Sequence, residues 1–241
     1  MYTTSETWDA IVAGEHWFET RVWITGPGYI NQSKILDMEI EWNLFSENGP
    51  SVGGTMSGEL TLSLLKPSQE IPRMAAIWVY VRATNGTDTS EWIQQGVFYV
   101  DTREITQNDD GLDIISFHAY DAMLKAEADY PSTTHSWPYS DINVVKEIAY
   151  AMGLQSSASA TSGVDARTRG LMNAGYQIGL PAGYSMREVL GNIGAMYGGN
   201  WIMTYDNKLM LVPLASIPVE TNYLADSNGN WLTFGGDRIL V

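Results

Sequence analysis

After Gly14 and as far as about Tyr120, apolar side chains recur at every second residue, a period that fits a pleated strand and not a helix. Phe18, Val22 and Ile24 share one face of such a strand. Leu36, Met38, Ile40 and Trp42 share another, with Asp37, Glu39 and Glu41 opposite. Leu60, Leu62 and Leu64 repeat the pattern, followed by Ile77, Val79 and Val81. Val97, Tyr99 and Asp101 then alternate with Phe98 and Val100, and Ile115, Phe117 and Ala119 close the series. Turn signals separate the runs: Gly26-Pro27-Gly28, Asn48-Gly49-Pro50, Asn85-Gly86 and Asp109-Asp110-Gly111. Several strands at this spacing, each with one polar face, specify an antiparallel barrel or sandwich.

The flanks follow the helical period instead. Ser5 is placed to cap a short opening helix with Trp8, Ile11 and Val12 on one face and Gly14 as its stop. Asp121 to Asp129 reads as helical and leads into a loop bounded by Pro131 and Pro138. A helix is expected from about Asp141, burying Val144, Val145, Ile148 and Met152 and stopping at Gly153. Gln155 to Arg169, rich in Ser, Ala and Thr, reads as a mobile loop. Ser185-Met186-Arg187-Glu188 fits a capping box, with Met186, Val189, Leu190, Ile193 and Tyr197 as the buried stripe and Gly198-Gly199 as the stop. A hairpin follows: Trp201 to Tyr205, a two-residue turn at Asp206-Asn207, then Lys208 to Val212. The tail from Ser216 returns to β and turn composition and ends on Ile239-Leu240-Val241, which reads as a strand cut partway and suggests a fragment.

The expected fold class is therefore β-rich α+β. It divides into a barrel-like domain with its opening helix over 1–122, a small α/β insert over 123–215, and the beginning of a second β domain over 216–241.

Charge removes several function classes. The 13 basic and 28 acidic residues leave a net charge of −15, the wrong sign for gripping nucleic-acid phosphates or an anionic membrane surface. No segment is long and apolar enough to span a bilayer, and Met1 to Glu6 lacks the basic-then-apolar pattern of a signal peptide. Cysteine is absent, which excludes disulfides and thiolate chemistry and fits folding in reducing cytoplasm.

No catalytic, cofactor-binding or metal-ligating residues emerge. His16, His118 and His135 lie far apart in sequence, and His118, on a strand face with Ser116 and Tyr120, reads as a hydrogen-bonded structural side chain. Gly183-Tyr184-Ser185-Met186-Arg187 begins like a nucleophile elbow, but Arg187 stands where the last Gly belongs, and Ser185 is accounted for as a cap. Gly191 and Gly194 fall inside the helix, where close packing explains them better than a phosphate cradle. Asp226 to Asn230 resembles a calcium loop with Asp237 at its twelfth position, but Trp231 occupies the position that needs Gly, so a plain Asn-Gly turn is expected. Glu39 with Glu41 and Asp101 with Glu104 read as solvent-face carboxylates rather than an acid and base pair. Among the nine tryptophans, Trp42, Trp78 and Trp201 alternate within strands, where core or interface roles are favoured over a sugar platform.

Five stretches together resemble tail proteins encoded by prophages of Gram-positive bacteria, in the expected order over most of the chain. They are Ser57 to Leu62, Ile71 to Ala75, Gly96 to Arg103, His118 to Lys125, and Tyr184 to Leu190 with Gly198-Gly199-Asn200. The resemblance implies a virion structural protein of a phage tail: a baseplate hub, or tail-associated, subunit of the virion tail, made in the bacterial host cytoplasm. It implies a homotrimer carrying two barrel-like domains per subunit, with an α/β insert between them. The barrels form a pseudo-sixfold ring that joins the tail tube to the tip or spike. Partners would be the tail tube, distal tail and tip or spike proteins, with DNA passing through without tight binding, no membrane and no cofactor. A carbohydrate-binding or host-surface adhesion module, suggested by the tryptophans and the β fold, is the alternative. A hydrolase is disfavoured because no catalytic constellation is present, so the chain is expected not to be an enzyme.

Overall fold

A computed structural model of the chain describes residues 4–46, 49–131, 135–214, 233–234 and 237–238. Helix α1 (Glu6–Val12) opens it, with the Ser5 hydroxyl accepting the Trp8 amide at 3.1 Å and Ile11 buried. Seven strands follow: β1 (Trp17–Ile24), β2 (Gly28–Asn31), β3 (Ile35–Glu41), β4 (Glu59–Leu65), β5 (Ala76–Thr84), β6 (Ile93–Gln107) and β7 (Asp113–Asp121). They form one antiparallel sheet in the order β2-β1-β5-β6-β7-β4-β3.

That order forces the sheet to curl. The two edge strands, β2 and β3, are consecutive in the chain and joined through a single 3-10 turn at Gln32–Lys34. Six inter-strand spacings in a flat sheet would hold the edges about 29 Å apart. The four residue steps from Asn31 to Ile35 reach about 14 Å at most. The sheet is therefore rolled into a half-barrel. Its two edges are halves of one bent run of chain that pairs first with β1 and then with β4.

The alternating residues line the inside. Val22, Ile24, Leu60, Leu62, Leu64, Ile77, Val79 and Phe98 are fully buried, with Val100, Ile115, Phe117 and Ala119 close behind. Two positions depart from the alternation. Leu36 is 51% exposed because the β3–β4 register slips between Ile35 and Asp37, so Ile35 takes the inward position beside Met38 and Ile40. Phe18 is also exposed and rests on Trp8 of α1, ring centroids 5.8 Å apart, rather than on the barrel core.

The remaining described chain builds a second core. A six-residue 3-10 turn (Ala122–Glu127) replaces the longer helix expected to Asp129. It stops because Ala128 to Tyr130 pair with Tyr184 to Met186 instead of continuing the turn. Strand β8 (Tyr139–Ser140) leads into α2 (Asp141–Ala151), which buries Val144, Val145 and Ile148 and ends at Gly153 with φ +75°. The stretch expected to be a mobile loop is anchored. Val164 is buried and bridges Leu209, Asp165 caps helix α3 (Ala166–Leu171), and the buried Thr168 hydroxyl accepts the Leu211 amide at 2.8 Å. Small polar composition conceals such anchoring, because its partners are backbone groups far away in sequence. Strand β9 (Gln177–Ile178) pairs with β8.

Helix α4 (Met186–Met196) carries the expected capping box between Ser185 and Glu188. Strands β10 (Gly199–Met203) and β11 (Leu209–Pro213) form the expected hairpin. Its turn is centred one residue earlier than expected, on Tyr205-Asp206. Asn207 donates back to Thr204 and adopts φ +62°, the left-handed residue of a bulged turn. Among residues 216–241 only Thr233–Phe234, pairing with Asp237–Arg238, are described. The calcium-like loop and the terminal apolar run lie outside the described residues.

The barrel and the second core are stitched by backbone. Residues 53–56 run beside β10, with Gly53 donating to Gly199, Trp201 to Gly54 and Met56 to Trp201. Glycine is required at 191, where a Cβ would sit 2.8 Å from the Gly53 carbonyl, and packing is tight at Gly194, where one would sit 3.0 Å from the Trp201 indole. Close packing, as expected, accounts for both. Arg187 reaches across the joint to the carbonyls of Thr55 and Met123 and the Ser57 hydroxyl, and its Nε lies 2.7 Å from Glu127. Trp42 touches both cores, wedged where Gly58 and Gly96 leave room for its ring.

Asp121 sits at the centre of this joint, buried, accepting the Gly58 amide at 2.6 Å and the Met123 amide at 2.8 Å. Burial pushes its carboxyl up to about 7, against the pull of both amides and Arg187. The unfolded chain releases this proton near pH 4 while the folded chain keeps it to about 7. The group therefore lowers stability as pH rises through that window, by up to about 1.4 kcal/mol per pH unit, and is flat above it. Urea unfolding at a series of pH values should show wild-type stability, measured relative to Asp121→Asn, falling from pH 4.5 to 7. A rising difference would refute the assignment.

Candidate functional site

The outer face of β2, β1 and β5 is where the barrel carries its most distinctive side chains. Cross-strand register sets Tyr29, Trp23 and Trp78 in one row, Arg21 beside Tyr80 in the next, and Glu19 beside Arg82 beyond. The Arg21 guanidinium lies 4.5 Å from the Tyr29 ring centre, 5.2 Å from Tyr80 and 4.2 Å from Trp92. Arg82 covers Trp92 as well, at 4.6 Å, and is held by Glu19 at 2.5 Å. Trp23 meets Trp78 edge-on, centroids 4.7 Å apart at 81°. The Arg21 Nε is shut from solvent with no hydrogen-bond partner among the described residues, so the rings are its environment. Tyr29 remains 58% exposed at the outer end of the row.

This face has the composition of a protein contact: Trp, Tyr and Arg, pre-ordered by mutual stacking. It is poorly suited to sugar. A pyranose needs a free, flat ring face, whereas here guanidinium groups occupy ring faces and the two tryptophans stand perpendicular. The sequence points to Trp78 but gives no local signal for Arg21, Arg82, Trp92 or Tyr29. The available signal was the alternation Glu19-x-Arg21-x-Trp23 and Trp78-x-Tyr80-x-Arg82, which acquires meaning only when the two strands are paired.

The other candidates for chemistry are dispersed. The His16 ring bonds to the Gly14 carbonyl at 2.8 Å, and His118 bonds to Glu59 at 3.2 Å against the edge of Tyr120. Glu39, Glu41, Asp101 and Glu104 are all exposed. Trp201 is fully buried core, its indole N–H donating to the Leu190 carbonyl. His135 is the one histidine with a developed environment: Nδ1 faces the Ser136 carbonyl at 3.2 Å, Nε2 faces Glu147 at 2.8 Å, and Tyr139 stacks on the ring. The Nε2 contact is an ion pair rather than a well-aligned hydrogen bond. Desolvation works to lower its pKa, but the Ser136 carbonyl and the Glu147 carboxylate together raise it. Both ring nitrogens thus face oxygens of the protein itself.

A cleft of about 520 Å³ opens between the barrel and the hairpin, walled by Trp42, Ile202, Met203, Tyr205 and Met210. Its two carboxylates are already paired. Arg167 holds Asp165 below the ordinary carboxylate range, and Lys208 with Thr204 does the same for Asp206 despite its desolvation. No His or Ser lines the cleft, and among the described residues no three His, Asp or Glu converge as a metal site. No described helix is long and apolar enough to cross a membrane.

Neither a family model nor a curated protein matches this sequence. Solved structures do. The 43 kDa tail protein of prophage MuSo2 from Shewanella oneidensis aligns over 84% of this chain with a TM-score of 0.53 and 14% identity. The chain has a tail-protein fold. The tail protein from Neisseria meningitidis MC58 agrees, with a TM-score of 0.50 over 89% of this chain at 11% identity. The tail-protein fold is matched over 57% and 58% of those two chains, so this chain spans little more than half the length of either.

Proposed function

We propose that the chain is a structural, non-enzymatic subunit of a phage-type tail, placed at the baseplate hub, where it joins the tail tube to the tip or spike as part of a homotrimer. The observation that carries the proposal is the Arg21-centred aromatic face, displayed outside a barrel whose fold is shared with tail proteins. The hub placement and a Gram-positive host rest on the sequence words between Ser57 and Asn200. In this reading the face packs against a neighbouring tail protein, and the net charge of −15 lets DNA pass without adhering to the ring.

A reconstruction of the intact particle tests the placement: density for this barrel belongs at the distal end of the tail tube, and density elsewhere in the particle refutes it. Arg21→Ala should reduce incorporation into particles at least tenfold, which corresponds to about 1.4 kcal/mol of contact energy. Wild-type incorporation by that variant would remove the face from the interface. Tight, salt-sensitive binding of DNA by the assembled ring would exclude the repulsive-wall idea.

A further inference from the structure

The β6–β7 hairpin outgrows the barrel. Strand β5 accompanies β6 only from Ile93 to Tyr99, and the last bond on that side runs from the Val100 amide to the Ala75 carbonyl. From Asp101 to Gln107 every residue of β6 is exposed, and the strand is paired on one side only, by β7. Which backbone groups are free follows from two hydrogen bonds. The Lys66 amide donates to Asp113 on the β4 side of β7, and the Asn108 amide donates to Leu112 on the β6 side. Alternation then turns the N–H and C=O of Thr102, Glu104 and Thr106 toward β7, and those of Arg103, Ile105 and Gln107 toward the open side. Among the described residues no other backbone bonds to those three.

We propose that this free edge takes up an extended, basic strand of a different polypeptide, which adds to β6 antiparallel or parallel through Arg103, Ile105 and Gln107. An unpaired edge of this length is a template for strand addition. No proline or glycine interrupts it, and a bulge at Asp101 marks where the barrel ends and the arm begins. Charge selects the occupant. Asp101, Glu104, Asp109, Asp110 and Asp113 are exposed along the arm, against only Arg103 and Lys66, and Lys66 is already paired with Asp113. A second copy of this chain would bring the same acid excess to the contact, whereas a strand carrying lysine or arginine removes the repulsion. The inference stands independently of the tail reading, since it uses only the geometry and charge of the arm.

The test uses the whole 241-residue chain and a synthetic ten-residue peptide that alternates lysine with valine and threonine, followed by amide hydrogen exchange. The Arg103, Ile105 and Gln107 amides should exchange at least tenfold more slowly with millimolar lysine peptide and be unchanged by the same peptide carrying glutamate. Ile105→Pro should abolish the protection while leaving the melting temperature in place, because the N–H it deletes is not used by β7. Thr106→Pro, which deletes an N–H that is used, should lower the melting temperature. Unchanged exchange at millimolar lysine peptide overturns the proposal. So does equal protection by both peptides, protection surviving Ile105→Pro, unfolding by Ile105→Pro, or protection that grows with protein concentration alone.

Discussion

Asn200→Ala will lower the unfolding free energy by about 3 kcal/mol, because it removes three hydrogen bonds that one fully buried side chain makes to partly buried backbone. Asn200 is fully buried. Its Oδ1 accepts the Gly54 amide at 2.7 Å, and its Nδ2 donates to the carbonyls of Leu44 at 2.9 Å and Ser51 at 2.8 Å. One side chain thus holds three points of the connection between β3 and β4 against the β10 strand. Asn200→Asp makes a sharper test. It preserves the acceptor for Gly54 but turns a second oxygen toward two carbonyls. Burial and those carbonyls raise the new carboxyl's pKa in the folded state, while the unfolded chain ionises near pH 4. The variant's deficit relative to wild type therefore grows as pH rises above about 4. Urea titrations at pH 4.5 and 7.5 would measure it, and a deficit that shrinks toward neutral pH would refute the hydrogen-bond assignment.

Trp201→Ala will cost about 3–5 kcal/mol, the range for deleting a large buried aromatic side chain. The ring is fully buried beneath α4, its N–H donates to the Leu190 carbonyl at 2.6 Å, and Gly194 packs closely against it, where a Cβ would sit 3.0 Å from the indole. Trp201→Phe should recover about half of that loss, since it restores most of the volume and none of the hydrogen bond. Because the Trp201 backbone also carries the pairing with Gly54 and Met56, the Trp201→Ala variant should expose the Met56 amide to rapid exchange before the barrel strands open. Equal protection of Met56 and of the Leu62 amide in that variant would mean that the two cores unfold as one. Asn200 and Trp201 are neighbours that share the joint, so their effects will not add.

Both substitutions lie at a contact that sequence reading does not reveal. The repeat Leu60, Leu62, Leu64 marks a buried strand face from period alone, and the structure buries all three fully. Ser185 with Glu188 is equally local, since a capping box is closed within four residues. Leu36 shows where period alone fails. A bulge displaces it by one position, and a bulge is fixed by the partner strand, not by the strand that carries it. Gln155 to Arg169 fails for a related reason: Thr168 and Val164 are fixed by Leu211 and Leu209, some forty residues away. The Arg21 face is the extreme case. Tyr29, Tyr80 and Trp92 reach Arg21 from three different segments, and no single one of them signals the stack.

By itself the sequence determined what is set by neighbours along the chain: which stretches pleat, which coil, where helices begin and stop, and the lack of thiols and of an excess of basic charge. Tertiary structure decided everything that depends on which strands meet. Rolling the sheet placed Gly28–Asn31 and Ile35–Glu41 at its two edges, set Arg21 among rings, and left β6 half paired. The physical reason is range. Capping bonds and side-chain alternation act over a few residues, whereas burial, stacking and free backbone groups depend on surfaces that come together only when the chain closes on itself.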